Sequence, residues 1–131
     1  LIEKALSANP KYAEGHLFLG NALSQLGRQH DAIEPLRRAA ELDDKSCEAR
    51  FRLGEAYYGV GDYRKALDAG QRATRCQRDY PAAEVLLGDA YFKLIQYEEA
   101  RSWYSRAVDD SRFKDYAAHK LEEIKRLSKK P

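Results

Sequence analysis

Leu53-Gly54-Glu55-Ala56-Tyr57 stands near the middle of the chain, and its pattern returns at Leu19-Gly20-Asn21-Ala22-Leu23 and at Leu87-Gly88-Asp89-Ala90-Tyr91, each copy 34 residues from the next. Other columns keep the same interval: Ala32, Ala66 and Ala100 form one, and Ala5, Ala39, Ala73 and Ala107 another. A fixed period between about 20 and 50 residues marks a stacked array, in which no unit buries its apolar face alone. Within the period the apolar residues fall at helical spacing, as in Leu19, Ala22, Leu23 and Leu26, and again in Ala32, Ile33, Leu36 and Ala39.

Working outward, the register divides the chain into repeats at 13–46, 47–80 and 81–114, preceded by 1–12 and followed by 115–131. Each repeat predicts two helices with a tight turn between them, at Gly27, at Gly61-Asp62-Tyr63 and at Leu94-Ile95-Gln96. Glycine suits the left-handed residue that ends a helix, so the third turn, lacking one, is expected to keep the hairpin in a less relaxed form. Pro35 falls past the first turn of its helix and is expected to bend it. Gly70 stands where the other repeats carry Leu36 and Tyr104, and so either leaves a gap or admits a neighbouring side chain. Leu1, Ile2, Ala5 and Leu6 predict the second helix of a partial repeat ended by Pro10, so the sequence reads as a piece of a longer array. Residues 115–128 predict a last helix with Leu121, Ile124 and Leu127 on one face and charges on the other, suited to capping the stack.

The Leu-Gly-x-Ala-Tyr core, followed by two small alanines, resembles the tetratricopeptide repeat (TPR) and covers the whole chain. The resemblance implies an all-α fold, an α-solenoid of stacked antiparallel helix pairs forming a right-handed superhelical array with a concave groove. It also implies a protein-interaction role. One subtype of the family holds carboxylate-ended chaperone tails with a clamp of Lys, Asn, Asn, Lys and Arg. Here Asn21 matches one element, while Leu17, Arg52, Ala82 and Leu86 replace the others, so a carboxylate clamp is rejected.

Composition narrows the function further. Hydrophobic residues at 44% and charged residues at 34% describe a globular chain, and a formal charge of +2 does not argue for nucleic acid or a membrane surface. No apolar run is long enough to span a bilayer. His16, His30 and His119 have no metal-site spacing, Gly59-Val60-Gly61 follows no strand, and no P-loop or nucleophile elbow is present. The reading is therefore of a non-enzyme needing no metal or cofactor. Arg64, Lys65, Arg72 and Arg75 alternate with acids on an outer helix and read as a solvated face, placing RNA binding behind protein binding. Cys47 and Cys76 form no metal or redox motif and are read as two reduced thiols packed as small hydrophobes. The compartment stays open, with the cytosol as default.

What remains is the surface shared by the first helices, which the family resemblance places on the concave side. Leu17, Phe51 and Val85 form an apolar row at one register position, extended one turn on by Tyr58 and Phe92. Apolar residues gathered in a concavity indicate a binding site. Phe51, Tyr58 and Phe92 are the expected exposed anchors, with Glu55 and Asp89 as charge partners and Asn21 on the same groove surface. Glu14, Glu48, Glu55, Asp89 and Glu123 against Lys93 give a rim of about −4, suited to a protein or peptide with apolar anchors and some basic residues. The expected function is a scaffold that binds a peptide or helix of a partner in this groove. The alternative is a self-association element packing through its repeat ends.

Overall fold

The computed structural model describes residues 12–129, and the expected partial repeat at Leu1–Ser7 with its stop at Pro10 lies outside them. Seven helices are described: α1 (Ala13–Gln25), α2 (Gln29–Leu42), α3 (Cys47–Gly59), α4 (Tyr63–Cys76), α5 (Pro81–Lys93), α6 (Tyr97–Ala107) and α7 (Lys114–Ser128). Each packs on the next, and the first helices also meet one another, α1 against α3 and α3 against α5. The result is an all-α solenoid in which α1, α3 and α5 form one row.

The three turns are chemically one motif. In the first, the Arg28 amide donates to the Leu23 carbonyl (2.9 Å) and the Gly27 amide to that of Ser24 (3.0 Å). Asp62 with Tyr57 (2.9 Å) and Gly61 with Tyr58 (3.0 Å) repeat it, as do Gln96 with Tyr91 (2.9 Å) and Ile95 with Phe92 (3.0 Å). Such pairs of bonds satisfy the last carbonyls of a helix and require one left-handed residue. Gly27 and Gly61 supply it at φ 80° and 85°, whereas in the third turn Ile95 is held at φ 60°. For a β-branched side chain that backbone is strained, as the missing glycine predicted. In the first repeat, α2 runs through Pro35 to Leu42 as one helix.

Small residues lie where helices cross. Ala32, Ala66 and Ala100 are fully buried, as are Ala73 and Ala107. A Cβ on Gly88 would stand 2.7 Å from the Tyr104 ring, and one on Gly20 would collide with Leu36, so in those repeats the large residue of the second helix fills the space over the glycine of the first. Repeat two differs. A Cβ on Gly70 would lie 3.0 Å from Leu87, and one on Gly54 only 2.8 Å from Leu86. The space opened by Gly70 is therefore occupied by two leucines of the following repeat, the second of the two outcomes the sequence allowed.

The cysteines are not the reduced thiols expected. Cys47 and Cys76 form a disulfide with their Cα atoms 5.5 Å apart. Their separation of 29 residues conceals their proximity, because an antiparallel hairpin of two near-equal helices returns the last residue of α4 to the first of α3. By constraint of the unfolded chain, closing such a loop contributes about 3 to 4 kcal/mol. Repeat two is also the best capped, with Ser46 accepting from the Ala49 amide (3.1 Å) and Asp62 from that of Lys65 (3.3 Å).

Candidate functional site

Between α3 and α5 lies an open cavity of about 560 Å³. Phe51, Val85, Ala82 and Leu86 give it apolar walls, Tyr58, Arg52, Glu55 and Asp89 bring polar atoms, Ser24 and Gln29 stand at the α1 end, and Phe113 reaches in from the linker before α7. Helical spacing explains the grouping: Phe51, Glu55 and Tyr58 lie at successive turns of one face of α3, and Val85 and Asp89 hold the matching positions on α5. Five of the eight residues singled out from the sequence thus line one cavity.

The other three lie elsewhere. Leu17 lines a separate hollow of about 320 Å³ with Glu14, Asp43 and Glu48. Asn21 is half-buried, and its buried Oδ1 accepts no hydrogen bond. Phe92 packs on Tyr97, the ring centroids 5.3 Å apart, and its face is covered by the Lys120 ammonium at 3.6 Å. Tyr58 makes the equivalent pair with Tyr63, also at 5.3 Å, and in the first repeat Ser24 hydrogen-bonds Gln29 (3.3 Å) at the same two positions. What separates Tyr58 from Phe92 is the residue of the next first helix: Leu86 after Tyr58, Lys120 after Phe92.

Exposure along the apolar row is also lower than expected. Phe51 is 7% exposed and Val85 9%, because each is packed into the seam between neighbouring first helices. Phe51 packs on Tyr80, the tilted rings 5.3 Å apart, and joins a buried cluster with Ala73, Ala83 and Leu86. Tyr58 is half-buried, and Glu55 is exposed.

The charge of the rim is less negative than −4. Arg52 stands between Glu55 (2.9 Å) and Glu48 (3.7 Å), and Lys120 bonds Glu123 (3.3 Å), which halves the count. Burial pulls the Arg52 pKa down, but the Glu55 hydrogen bond and the charges of Glu55 and Glu48 outweigh it and leave the guanidinium above its ordinary value. Arg52 was legible in the sequence as the i+4 partner of Glu48 and the i−3 neighbour of Glu55, whereas Phe113, on an irregular linker, carried no periodic signal.

At the far end Asp89 is held in a polar knot. Its Oδ1 accepts from the hydroxyls of Tyr104 and Tyr116, the latter at 2.7 Å. Burial pushes the Asp89 carboxyl above the usual carboxylate range, partly offset by those two hydrogen bonds and by Lys120 and Lys93. Burial likewise raises Tyr104 and Tyr116, and lifts Tyr58 to about 12, so all three phenols stay protonated at neutral pH. Among the described residues, no group of three or more His, Cys, Asp or Glu is placed to hold a metal ion, and no helix is long and apolar enough to cross a membrane.

Comparison with known proteins agrees with this architecture. A tetratricopeptide repeat family model matches residues 49–115, just over half of the chain, and a TPR repeat model matches residues 20–61. No curated protein sequence matches. Among solved structures, MamA superposes with a TM-score of 0.93 at 28% identity, covering 97% of this chain and 74% of that one. The first TPR of Spaghetti (RPAP3), bound to the HSP90 peptide SRMEEVD, gives 0.85 at 22% identity, covering 90% and 94%. The Yersinia enterocolitica type III secretion chaperone SycD, in complex with a peptide of the translocator YopD, gives 0.81 at 21%, covering 89% and 94%. With its 34-residue register, its recurrent helix hairpins and a family model over more than half its length, the chain belongs to the tetratricopeptide repeat family.

Proposed function

We propose that the protein is a non-catalytic scaffold that takes a peptide or helix of a partner protein in the cavity between α3 and α5. The observation that carries this reading is the cavity itself: about 560 Å³, open, walled by Phe51, Val85, Leu86 and Phe113, with Tyr58 on its wall. An apolar concavity with a few convergent polar groups suits a side chain of a peptide ligand. Tyr58 is the anchor contact, Phe51 and Val85 form the packed floor, and Glu55 and Asp89 orient a basic or amide group of the ligand. Arg52 offsets part of the acidic rim, so the ligand is mainly apolar with at most modest positive charge. That Spaghetti and SycD were solved with peptides supports a peptide as the ligand class.

A random-peptide library selected on the intact chain, with Tyr58→Ala as counter-screen, tests the proposal. Peptides sharing an apolar anchor, and lost by the folded Tyr58→Ala variant, support it. Retention of the same peptides by that variant refutes it.

A second reading, self-association through the array ends, rests on Phe18, which is 64% exposed at the register position where Leu86 is 6% exposed. A molar mass that rises with concentration, and ceases to rise in Phe18→Ser, would favour it.

A further inference from the structure

We infer that the Cys47–Cys76 bridge is a redox latch one helical turn from the floor of the groove, opened by a dithiol reductant of the thioredoxin class. The bridge joins the first residue of α3 to the last of α4. Four residues beyond each cysteine stand Phe51 and Tyr80, whose rings pack together with centroids 5.3 Å apart at a tilt of 42°. Disulfide and ring pair are thus two rungs of one ladder, the first covalent and the second packing alone. The ladder's second rung is part of the cavity, because Phe51 lines it and Tyr80 leads directly into α5, which supplies its opposite wall.

Between the rungs on one side is the linker 77–80, held locally by the Gln77 side-chain amide donating to the Asp79 carbonyl (3.1 Å). Release of Cys76 leaves that linker, and the start of α5, tied to α3 by packing alone, through the Phe51–Tyr80 ring pair and the contacts of Ala83 and Leu86 in the same buried cluster.

A second observation points to reversible opening. The Sγ atoms of Cys47 and Cys76 lie 3.8 Å and 3.7 Å from the same carbonyl oxygen, that of Lys45. In the disulfide neither sulfur carries a hydrogen, so neither donates. Once reduced, a thiol has an acceptor already in place, and the reduced form is not left with an unpaired carbonyl beside it. Both cysteines are half-buried, so an attacking thiolate need not wait for global unfolding.

In the exchange, one thiolate of the reductant attacks a bridge sulfur and forms a mixed disulfide. Its second thiol then displaces the protein sulfur. One S–S bond of the protein is exchanged for one in the reductant, and Cys47 and Cys76 leave with two electrons and two protons as thiols. The latch stands on the geometry of repeat two, while its effect on a ligand rests on the groove reading above.

The test uses the full chain, oxidised and after treatment with dithiothreitol or thioredoxin. Alkylation and mass measurement report the bridge, segment-resolved hydrogen exchange reports the latch, and titration with a peptide enriched on the oxidised chain reports the groove. The expected result is no alkylation before reduction and two alkylated thiols after it. Exchange then accelerates about tenfold in 76–83 and the first turn of α3 while 97–128 is unchanged, and peptide affinity falls about tenfold. Cys47→Ser/Cys76→Ser should reproduce the reduced pattern. Two free thiols before reduction, unchanged exchange in 76–83, or uniform acceleration along the chain would each overturn the latch. Local acceleration with unchanged peptide affinity would overturn its control of the groove. If no peptide enriches, the groove reading fails, and exchange still decides the latch.

Discussion

The hydroxyl of Tyr104 donates to the carboxylate of Asp89 while its ring lies over Gly88, so one fully buried side chain closes the α5–α6 hairpin twice, by packing and by hydrogen bond. Tyr116 of α7 donates to the same oxygen, so three helices meet at one carboxylate. Gly88→Ala should destabilise the fold by about 2 kcal/mol, because its Cβ would meet a ring with no room to retreat. Tyr104→Phe keeps the packing and removes one donor, and should cost about 1 to 2 kcal/mol. Urea denaturation of both variants checks the order, and a Tyr104→Phe loss larger than that of Gly88→Ala would contradict it.

Asp89 also gives a pH dependence with a defined sign. Its folded-state pKa is raised above the ordinary 3.8, chiefly by burial, so the folded protein holds this proton more tightly than the unfolded chain. Its contribution is fully present below the unfolded value and is lost as pH rises through the folded one. Glu84, 5% exposed and raised chiefly by burial, acts in the same direction. Asp89→Asn carries no such proton. Denaturation midpoints measured from pH 3 upward should show the wild type losing stability relative to Asp89→Asn across the window above 3.8. A constant difference between the two would rule this out.

Ile95 offers the opposite kind of change. A β-branched residue at φ 60° in a turn whose two counterparts are glycines should be improved by Ile95→Gly. The relief of strain, about 1 to 2 kcal/mol, exceeds the added chain entropy of about 0.5 to 1 kcal/mol, leaving a net gain of about 1 kcal/mol. The side chain is 70% exposed, so little packing is lost. Thermal denaturation should show a midpoint raised by a few degrees, and a lowered midpoint would mean that Ile95 packs in a way its exposure conceals.

Gly70→Leu restores the residue type found at the equivalent position of repeat one, yet it should be harmful. Leu86 and Leu87 already occupy that space, and the added side chain would cost about 3 kcal/mol. A variant as stable as the wild type by chemical denaturation would show that the two leucines can move aside.

The helices, their turns and the alanine columns were legible because each follows from the 34-residue period and helical spacing alone. Even the strained third turn was visible, as a missing glycine. The disulfide was not, since it depends on two helix ends meeting in space rather than on a cysteine motif. Nor could register position tell Tyr58 from Phe92: the two are equivalent, but the helix that follows each presents Leu86 in one case and Lys120 in the other. Phe51 and Val85 both line the cavity between α3 and α5, but periodicity alone does not measure how deeply neighbouring helices bury a residue.

The leucines over Gly54 and Gly70 bear on how the array comes apart. Repeats one and three each fill the hollow above their own glycine, with Leu36 and with Tyr104, while repeat two borrows its filling from α5. Where stability is a sum of unit and neighbour terms, such borrowing moves energy from the unit into the junction. Repeats two and three should therefore melt together as one cooperative block, with fraying confined to the junction between repeats one and two.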